Sequence, residues 1–561
     1  MYIRQLVALL VITFSISVDA TNYYINSQQG SDDNLGTEPS QPWQSLARLT
    51  SAKISAGDQI LLAAGQTFKG SISLYNVSGT IEKPIVISSY ETTSSATPAT
   101  INAKGEFAGI LLADSDHIIV ENLSITANGG GDIVLPAQLL KKMRKAKKPN
   151  MRVGIAVITS DAGEYAQIHM NKVKVTNIYA KDEGYQRSYQ ETVTANGTEA
   201  YGFGIYFISL PQTLLTNISV SNSQVQAVGH TGIKFSGKRN ITNVLLDNNR
   251  VIHTGGPGMQ MGGVAGAKVK HNIVDSSGSA QDSRNWARGS GMWTWGSDNI
   301  IVEHNQFLNA NGPGDSAGFH IDFNCSNVIV QYNLSANNAG GFIEILGNNF
   351  NNTYRYNVSV NDGHRVKEKG VAFQEGKTFW FSGFVGSEKI GNKRKPRKRH
   401  GPYNSYIYNN TIFVDSEITA KIAVTKVAEG ALIANNIFHI MGDSQLVKGD
   451  QYVPESDKDD VNLKHFIFEN NLYLKQGNWP KEVLVQDASP IYGNANFVNP
   501  GGLNLKDYTP QNIALIKDKG INIPRIPNDS TGLIVGLQSP HDVLGNPIKG
   551  LPDIGAIELQ E

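Results

Sequence analysis

The chain has 561 residues, a formal net charge of zero and 17% charged residues, and it contains 56 glycines. This length exceeds the usual size of one globular core, and the low charge with few amphipathic patterns excludes a protein built of long helices. Short apolar runs bounded by Gly, Asn, Asp and Ser predict many short strands instead. Such a chain can stay one unit if each structural repeat buries its apolar face against the next repeat.

The first twenty residues predict a secretory signal peptide. Arg4 precedes an apolar run from Leu6 to Ile16, and the segment ends on the small residue Ala20. The apolar run is shorter than the ~20 residues that span a bilayer. We therefore expect cleavage near Ala20 and a secreted or periplasmic protein, with no membrane and no nucleic-acid partner. The sequence leaves the oligomeric state open.

Two short features of the sequence bear on metal ions and disulfides. One lies near the start of the mature chain and the other lies in its middle. "GSDDN" at Gly30–Asn34 either binds a structural calcium ion or forms a turn, and no other cofactor or metal is expected. Cys325 is the single cysteine, which leaves no partner for an internal disulfide. We expect Cys325 to be a small buried side chain next to a strand.

A short phrase recurs through the middle of the chain: a few apolar residues, an asparagine, then another apolar pair. The asparagines of this phrase are Asn122, Asn249, Asn272, Asn305, Asn333, Asn357, Asn410, Asn436 and Asn471. Stacked turn asparagines can bond to the backbone of their own coil and to the next asparagine. The pattern predicts an all-β fold, a single-stranded right-handed parallel β-helix. A β-sandwich with many Asn turns is the alternative, which the constant register of the phrase disfavours.

The strand before each asparagine turn shows alternation of apolar and polar residues, which assigns its two faces. The predicted inward residues are Ile233/Phe235, Met259/Met261, Trp293/Trp295, Ile321/Phe323, Ile343/Ile345 and Val371/Phe373. The predicted outward residues are Lys234, Gln260, Thr294, Asp322, Glu344 and Ala372. Outward polar side chains on one parallel sheet would line a groove suited to a polysaccharide.

Asp322 and Glu344 are the strongest catalytic candidates, because each interrupts an apolar strand with a carboxylate. The 22-residue interval between them predicts equivalent positions on adjacent strands, about 4.8 Å apart. Like charges placed side by side destabilise a sheet and raise each other's pKa, so a purely structural protein has little reason to keep them. A cation held between the carboxylates is the alternative interpretation.

Further candidates surround this pair in the sequence. Asp315 and Asp362 are additional catalytic candidates, although both could be turn residues. The candidate substrate-binding residues are His320, His364, Arg365, Lys234, His230, Gln260 and Trp380. Of the tryptophans in these coils, Trp293 and Trp295 are expected in the core, whereas an exposed one could stack on a sugar ring.

Two short segments concentrate positive charge. Leu139–Arg152 contains seven Lys and Arg residues and no acid, and Ser387–His400 contains seven with one Glu. Outside these segments acidic residues outnumber basic ones. The second segment follows "NDGHR" (Asn361–Arg365) and is expected near the site, so it predicts a sulfated or uronate-bearing substrate.

The opening "YYINSQQGSDDNLGT", the coils, and the closing "DVLGNPIKGLPDIGAIE" together resemble secreted right-handed parallel β-helix polysaccharide-degrading proteins. The Asp-then-Glu pair resembles β-helix glycoside hydrolases of the family 120 β-xylosidase type. That resemblance implies a nucleophile at Asp322, an acid/base at Glu344 and a retaining glycoside hydrolase. The implied organisation is a signal peptide over 1–20, a β-helix over 21–500 and a C-terminal segment over 501–561 that packs on it.

Two other functions stay open at the level of the sequence. A polysaccharide lyase or epimerase acting on uronic acids would use His320, His364, Arg365 or Lys234 as base or neutralising group. A binding or adhesive β-helix would have no activity, and the paired acids argue against it.

Overall fold

The computed structural model describes residues 20–91, 97–140, 151–189, 201–391, 393–449 and 461–560. The predicted signal peptide and most of the first basic segment, residues 141–150, lie outside the described residues. The strands stack as successive coils that pair almost entirely in parallel, which confirms the predicted parallel β-helix. Within the described ranges, no helix has the length and apolar character needed to cross a membrane.

One sheet of the coil carries the predicted site and is called the groove sheet. Each of its strands pairs in parallel with the strand of the next coil. Its strands are Ile72–Tyr75, Ala108–Ala113, Met151–Thr159, Tyr201–Ser209, the first parts of Ile233–Asp247 and Met259–Lys270, Met292–Trp295, Phe319–Ile321, Gly341–Ile345, Lys377–Phe381, Ala420–Val424 and Ser444–Leu446.

The second sheet follows the groove sheet within each coil. Its strands are Asn22–Ile25, Gln59–Ala63, Ile85–Tyr90, the first parts of Ile118–Asn128 and Gly163–Tyr179, Thr213–Ser221, the last parts of Ile233–Asp247 and Met259–Lys270, Asp298–Glu303, Ser326–Gln331, Thr353–Arg355, Tyr403–Tyr408, Glu429–Ala434 and Lys464–Glu469. Because some strands run from one sheet into the next, the corner between these two sheets is a bend in a continuous strand at those coils.

The third sheet closes the coil. Its strands are Thr67–Lys69, Ala99–Asn102, the last parts of Ile118–Asn128 and Gly163–Tyr179, Gln224–Val228, Arg250–Thr254, Ile273–Asp275, Gln306–Leu308, Leu334–Ala336, Val358–Val360, Thr411–Val414, Ile437–Ile440, Leu472–Tyr473 and Ile491–Tyr492. Among the described residues, the remaining elements are an antiparallel hairpin and four short helical turns: Ser387–Ile390 with Lys393–Pro396, then Leu46–Ser51, Ala137–Leu140, Leu505–Tyr508 and Ile513–Ile516.

The asparagine ladder is confirmed at eight positions: Asn249, Asn272, Asn305, Asn333, Asn357, Asn410, Asn436 and Asn471, all of them buried. Asn333 shows the pattern, because its Nδ2 donates to the Val302 carbonyl and to Asn357 Oδ1 at 2.9 and 3.0 Å. Its own Oδ1 accepts from the Asn305 side chain and backbone. Each rung therefore satisfies buried backbone groups at the corner between the second and third sheets.

The prediction for Asn122 was wrong. Asn122 is exposed and has a left-handed backbone with φ of 50°. It occupies the position just before the ladder, which Asn222 and Asn248 take in later coils with similar φ. Asparagine is favoured there because its short polar side chain tolerates the left-handed region. The buried ladder position of that coil is taken by Leu123.

The predicted faces of the strand Met292–Trp295 were wrong by one residue. Met292 and Thr294 point into the core and are fully buried, whereas Trp295 is 37% exposed on the outer face. The register sets this outcome, because Met292 pairs with Met259 and Trp293 pairs with Gln260. A shift of one residue moves every side chain to the other face of a strand, and the assignment of apolar residues to the inner face therefore fails for the two tryptophans.

The predicted strand over Gly370–Gly376 was also wrong. Residues 366–376 form a loop in which Val371 is 60% exposed and Ala372 is buried. The strand that pairs with Gly341–Ile345 is Lys377–Phe381. Phe373 packs instead against the Arg288 guanidinium, 5.0 Å from the ring centre, so the loop covers one flank of the groove sheet.

The chain after residue 498 runs along the outer faces of the second and third sheets. Tyr406 Oη donates to Asp529 at 2.5 Å, and Tyr408 Oη donates to the Leu537 carbonyl at 2.6 Å. Buried residues of this segment, such as Ile516 and Ile554, share one apolar cluster with the sheets. The boundary at residue 500 stays a prediction.

Candidate functional site

Glu344 lies in the groove-sheet strand Gly341–Ile345 and points to the outer face. Its neighbours Ile343 and Ile345 point into the core, as predicted, and Glu344 itself is 8% exposed. Ile345 pairs with Ile321, which places His320 level with Glu344 on one side. On the other side Glu344 pairs with Trp380.

The predicted equivalence of Asp322 and Glu344 was wrong by two residues. The pairing of Ile321 with Ile345 fixes a 24-residue interval between adjacent coils, so Asp322 is level with Leu346. Asp322 still points to the same face, because two residues preserve the parity of a strand. It lies just past the end of its strand, where its Oδ1 accepts from the Phe323 N–H at 2.8 Å. The two carboxylates are therefore diagonal neighbours.

Burial raises the pKa of Glu344 well above its ordinary value of 4.5. The negative charges of Asp315 and Asp322 act in the same direction, whereas the positive charges of Lys377 and Arg365 oppose them. Three carboxyl groups thus lie within electrostatic reach of one another. These influences favour a protonated Glu344 beside Asp315, whose pKa is lowered.

Asp315 lies in the loop that leads into the strand Phe319–Ile321. Its Oδ1 accepts from Arg288 Nη2 at 3.0 Å, with both side chains largely buried. Its backbone N–H donates to the Gln374 side chain at 2.5 Å. Burial alone would raise the pKa of Asp315, but Arg288 and His320 hold this pKa below its ordinary value. Asp315 is thus an ionised group fixed beside Glu344.

His320 stands between the Asp315 loop and the groove. Its Nδ1 lies 3.1 Å from Ser290 Oγ, and its ring meets the Trp293 ring edge-on with centres 5.0 Å apart. Burial lowers the pKa of His320 to about 4, although Asp315 acts to raise it. The imidazole is therefore neutral near pH 7 and can serve as a hydrogen-bonding group.

Two buried cations stabilise this arrangement from behind. Arg365 donates through Nε to the Gln374 carbonyl and through Nη1 to the Gly312 carbonyl, at 2.7 and 2.8 Å. Lys377 is 2% exposed, and its Nζ lies 3.9 Å from the centre of the Trp380 ring. These bonds make Arg365 hold two loops together, and its role in substrate binding stays a prediction. Trp380 is equally buried and has no open face for a sugar.

The groove continues toward the N-terminal coils through residues on the same level. Trp293 pairs with Gln260, which pairs with Lys234. Lys234 Nζ lies 5.0 and 5.2 Å from the Phe203 and Tyr206 ring centres. The structure thus places the predicted binders Gln260 and Lys234 on the outer face of the groove sheet, with Lys234 four strands from Glu344, or roughly 19 Å.

His230 lies beside this groove in the turn before Lys234. Its ring stacks on Trp286 with centres 4.5 Å apart, and its Nδ1 lies 2.7 Å from Thr231 Oγ1. Burial, with the nearby charge of Lys234, lowers the pKa of His230 well below its ordinary value. A neutral, stacked imidazole fits a wall of the groove.

Asp362 and His364 are not brought to the carboxylate cluster. Asp362 Oδ1 accepts from Asn338 N and Nδ2 at 2.9 and 2.8 Å, and its Oδ2 accepts from Ser359. Burial raises the pKa of Asp362 to about 7, yet both oxygens hold a turn. His364 Nδ1 lies 3.2 Å from the Asn361 carbonyl, in a separate pocket with Asn309.

Three residues of the site were not singled out for it from the sequence: Arg288, Lys377 and Trp293. Trp293 could have been found by aligning Met292 with Met259, which puts the tryptophan level with Gln260 on the outer face. Arg288 and Lys377 lie in or beside irregular segments, where no periodicity signals a direction. Their placement depends on loop conformation that the sequence pattern does not encode.

The second basic segment lies close to the C-terminal ends of these strands. Lys395, Arg397 and Lys398 are exposed on or just after the hairpin. The Asn348 N–H donates to the His400 carbonyl at 3.0 Å, which joins the end of the segment to the coil of Glu344. The end of this segment is therefore bonded to the coil that carries Glu344, and the approach of its cations to the carboxylates stays a prediction.

Metal-ligating residues do not cluster in the part of the chain that the structure describes, since no group of three or more His, Cys, Asp or Glu side chains could hold an ion there. Asp32 of the "GSDDN" stretch accepts from the Gln44 and Ser45 N–H groups and from Ser45 Oγ, which favours the turn. Cys325 is buried, as predicted, and burial raises the pKa of its thiol to about 12.

The stacked parallel strands form a parallel β-helix, and the family model described as "Right handed beta helix region" matches residues 212–385. The lacto-N-biosidase of Bifidobacterium longum subsp. longum is 23% identical to the chain over 650 positions, which cover 97% of this chain. The chain spans only 37% of the length of that protein.

Solved structures agree on the fold. The native GH136 lacto-N-biosidase from Eubacterium ramulus aligns with a TM-score of 0.52 and 20% identity, over 73% of this chain and 68% of its own. Its selenomethionine derivative aligns with a TM-score of 0.53 and 20% identity, over 76% and 68% of the two chains.

Proposed function

We propose that the protein is a glycoside hydrolase that acts on oligosaccharides. The observation that carries the proposal is Glu344, a carboxyl group with a raised pKa that points outward into the groove within reach of Asp315 and Asp322. A glycosidase needs one carboxyl group that keeps its proton and one that stays ionised, and different surroundings can create that division. The names of the similar proteins, lacto-N-biosidases, support the same reaction class.

In the proposed reaction Glu344 donates its proton to the glycosidic oxygen as the C–O bond breaks. Asp322, which is less buried than Glu344, attacks the anomeric carbon and forms an ester with the sugar. Glu344, now ionised, then takes a proton from a water molecule that cleaves this ester and frees Asp322. His320 is close enough to Glu344 to orient a sugar hydroxyl, and Asp315 adds to the effect of burial in raising the pKa of Glu344.

Two successive displacements at the anomeric carbon retain its configuration. Retention requires the two carboxyl groups to converge to about 5–5.5 Å across the sugar, whereas inversion leaves about 6.5–9.5 Å for a water molecule. Because Asp322 and Glu344 are diagonal neighbours, the stereochemistry of the product tests whether these two carboxyl groups converge on the sugar. NMR of the first-formed product, recorded before mutarotation, is expected to show the anomeric form of the substrate. An inverted product would make Asp322 the base that activates water.

The experiment that tests the reaction class incubates the protein with neutral and anionic oligosaccharides and polysaccharides. New reducing ends without new ultraviolet absorbance are expected. Unsaturated ends that absorb in the ultraviolet would indicate a lyase, and retention on the polymer without new ends would indicate a binding protein. Either result would overturn the proposal.

Substitution of the carboxylates tests the assignment. Asp322→Asn and Glu344→Gln are each expected to reduce kcat by at least about a thousandfold, the scale of general acid or nucleophile loss. The matched control is Glu164→Gln, an exposed glutamate on the second sheet, which should keep wild-type activity. Asp315→Asn tests which carboxyl group donates the proton. If Asp315→Asn loses as much activity as Asp322→Asn while Glu344→Gln keeps activity, Asp315 is the proton donor.

The proposed substrate carries sulfate or carboxylate groups. The exposed cations Lys395, Arg397 and Lys398 near the strand ends support this, because Lys and Arg pair with both groups. Neutralising all three with Gln is expected to raise KM for an acidic oligosaccharide and to flatten its salt dependence. An unchanged KM at low salt would exclude a role for this segment in substrate binding.

A further inference from the structure

A pocket of about 340 Å³ opens at the C-terminal ends of the groove-sheet strands. Three glycines from successive coils, Gly237, Gly263 and Gly296, form part of its lining. They are level with one another, because Ser236 pairs with Gly262 and Gly262 pairs with Trp295. A Cβ atom on Gly296 would meet no atom within 4 Å. The floor is therefore bare backbone that a ligand can approach closely.

Two aromatic rings stand over this floor. Trp295 is 37% and Phe350 41% exposed, although large apolar side chains favour burial. Phe350 stacks on Tyr403 with centres 4.7 Å apart, and Trp295 meets Phe323 edge-on at 6.1 Å. Both rings are thus supported from behind while one side of each faces the pocket.

The charge of the pocket is positive. Lys238 is exposed, and its Nζ lies 5.8 Å from the Trp295 ring centre. Arg239 also lines the pocket, but it pairs with Asp298 and donates to the Asn324 carbonyl at 3.0 Å. In the described part of the chain no carboxylate forms an ion pair with Lys238, so its charge is available to a ligand.

The pocket adjoins the catalytic carboxylates. Thr294 pairs with Ile321, which makes Trp295 level with Asp322 one strand away, about 4.8 Å along the sheet. Asn348, another lining residue, is bonded to the end of the second basic segment. A sugar unit bound over Trp295 would therefore be adjacent to the sugar unit that is bound at Asp322 and Glu344.

We propose that this pocket is a subsite for an acidic sugar, one that bears a carboxylate or sulfate group, in the chain cleaved beside it. The inference rests on the proposed hydrolase function and adds where the anionic unit is bound. The apolar face of the sugar stacks on Trp295, and its anionic group pairs with Lys238. Phe350 closes the opposite side, and the glycine floor leaves room for the ring.

Binding is measured by calorimetry on the Glu344→Gln protein, so that substrate is not consumed. The probes are a galacturonic acid trisaccharide, a sulfated galactose trisaccharide and the neutral galactose trisaccharide. Trp295→Ala is expected to weaken binding of both acidic probes by roughly tenfold, the scale of a lost stacking and cation–π platform. Lys238→Gln is expected to weaken only the acidic probes, by roughly fivefold at low salt, and to reduce their salt dependence.

The matched control is Lys549→Gln, an exposed lysine in the C-terminal segment, which should bind like the parent. Equal losses for acidic and neutral probes in Lys238→Gln would overturn the acidic assignment, and failure of both acidic probes to bind would overturn the subsite. The hydrolase function is tested separately, by incubating the acidic probes with the wild-type protein. If these probes bind through Trp295 but yield no new reducing ends, the proposed hydrolase function is wrong and the proposed subsite is still supported.

Discussion

Glu344 is a buried carboxyl group that other carboxylates surround, and these surroundings affect stability as well as chemistry. Its pKa is raised in the folded protein, with burial as the main cause. The folded state therefore binds this proton more tightly than the unfolded state does. The stability that the protonated group contributes is fully present below its unfolded pKa of about 4.5 and is lost as pH rises through the folded pKa.

Glu344→Gln should therefore stabilise the protein at neutral and alkaline pH while it abolishes activity. Glutamine keeps the shape of the protonated acid and has no charge to bury. Thermal unfolding is expected to show equal Tm values below pH 4.5 and a Tm a few degrees higher for the variant at neutral pH. Glu164→Gln, on the exposed surface, should show no such divergence. A lower Tm for Glu344→Gln at neutral pH would contradict the raised pKa.

Lys377 sets how far that pKa rises. Its positive charge is the largest of the influences that lower the pKa of Glu344, so its removal should raise the pKa further. If Glu344 is the acid, the alkaline limb of the kcat/KM profile should move to higher pH in Lys377→Met.

Lys421→Met is the matched control for Lys377→Met. Lys421 is equally buried, at 2% exposure, but its partner is Glu375, 3.6 Å away. The alkaline limb should stay in place in this variant. A limb that moved to lower pH in Lys377→Met, or equally in both variants, would exclude the assigned role.

At the scale of the strand, period-two alternation predicts faces well and coil lengths poorly. Ile343 and Ile345 were assigned to the core and Glu344 to the groove from the sequence, and all three assignments hold. The 22-residue interval between Asp322 and Glu344 is shorter than the coil that separates their strands. Ile321 pairs with Ile345, which is a spacing of 24 residues, so Asp322 is not level with Glu344. Alternation carries no information on turn length, so register between coils must come from pairing.

The asparagine ladder was predictable because one residue type repeats at one corner. Each rung has a chemical reason to be Asn, since the position needs both a donor and an acceptor for the buried backbone. The loop over residues 366–376 has no such repeat, and its contacts with Asp315 and Arg288 depend on one irregular conformation. The charged residues behind the site were missed for that reason.

Asn333→Ala should destabilise the β-helix strongly. The substitution removes a buried side chain that bonds to the Val302 and Gln331 carbonyls and to both neighbouring rungs. Leaving buried groups unsatisfied costs about 1–3 kcal/mol each, so a loss of at least about 3 kcal/mol is expected in denaturant unfolding.

The control for Asn333→Ala lies in an exposed stack of the same coil. Asn327 donates to Asn299 at 3.0 Å on the surface and has φ of 53°. Asn327→Gly keeps the left-handed backbone accessible, and its cost should stay below about 1 kcal/mol. Comparable losses for the two variants would show that burial does not determine the strength of the ladder.

At the scale of the whole molecule, the C-terminal segment covers the faces of the coil opposite to the groove. Its contacts are with the second and third sheets, through buried residues such as Tyr508 and Ile557 and through Asp529. The groove sheet keeps its polar outer face for a ligand. A solenoid whose repeats contact only their neighbours can lose cooperativity along its length, and a segment that contacts several coils opposes this loss.

Asp529 is the residue through which this coupling can be tested. Its carboxylate accepts from Tyr406 Oη, from Asn351 Nδ2 and from the Thr531 and Gly532 N–H groups. Burial alone would raise the pKa of Asp529, but the Tyr406 bond and the backbone bonds lower it below its usual value of 3.8. Its stabilising contribution is therefore present above the unfolded pKa and is lost as pH falls through the folded pKa.

Asp529→Ala should lower stability by about 2–4 kcal/mol at neutral pH, because it leaves the buried Tyr406 hydroxyl without its acceptor and removes the bonds from Asn351 and from the Thr531 and Gly532 N–H groups. Calorimetry is expected to show one transition at a lower Tm, and the difference from wild type should shrink at strongly acidic pH. Asp443→Ala, at an exposed aspartate, should leave the Tm unchanged. Two transitions, with only a minor early one shifted, would mean that residues 501–561 unfold as a unit separate from the β-helix. A single shifted transition would mean that the segment and the coils beneath it share one cooperative structure.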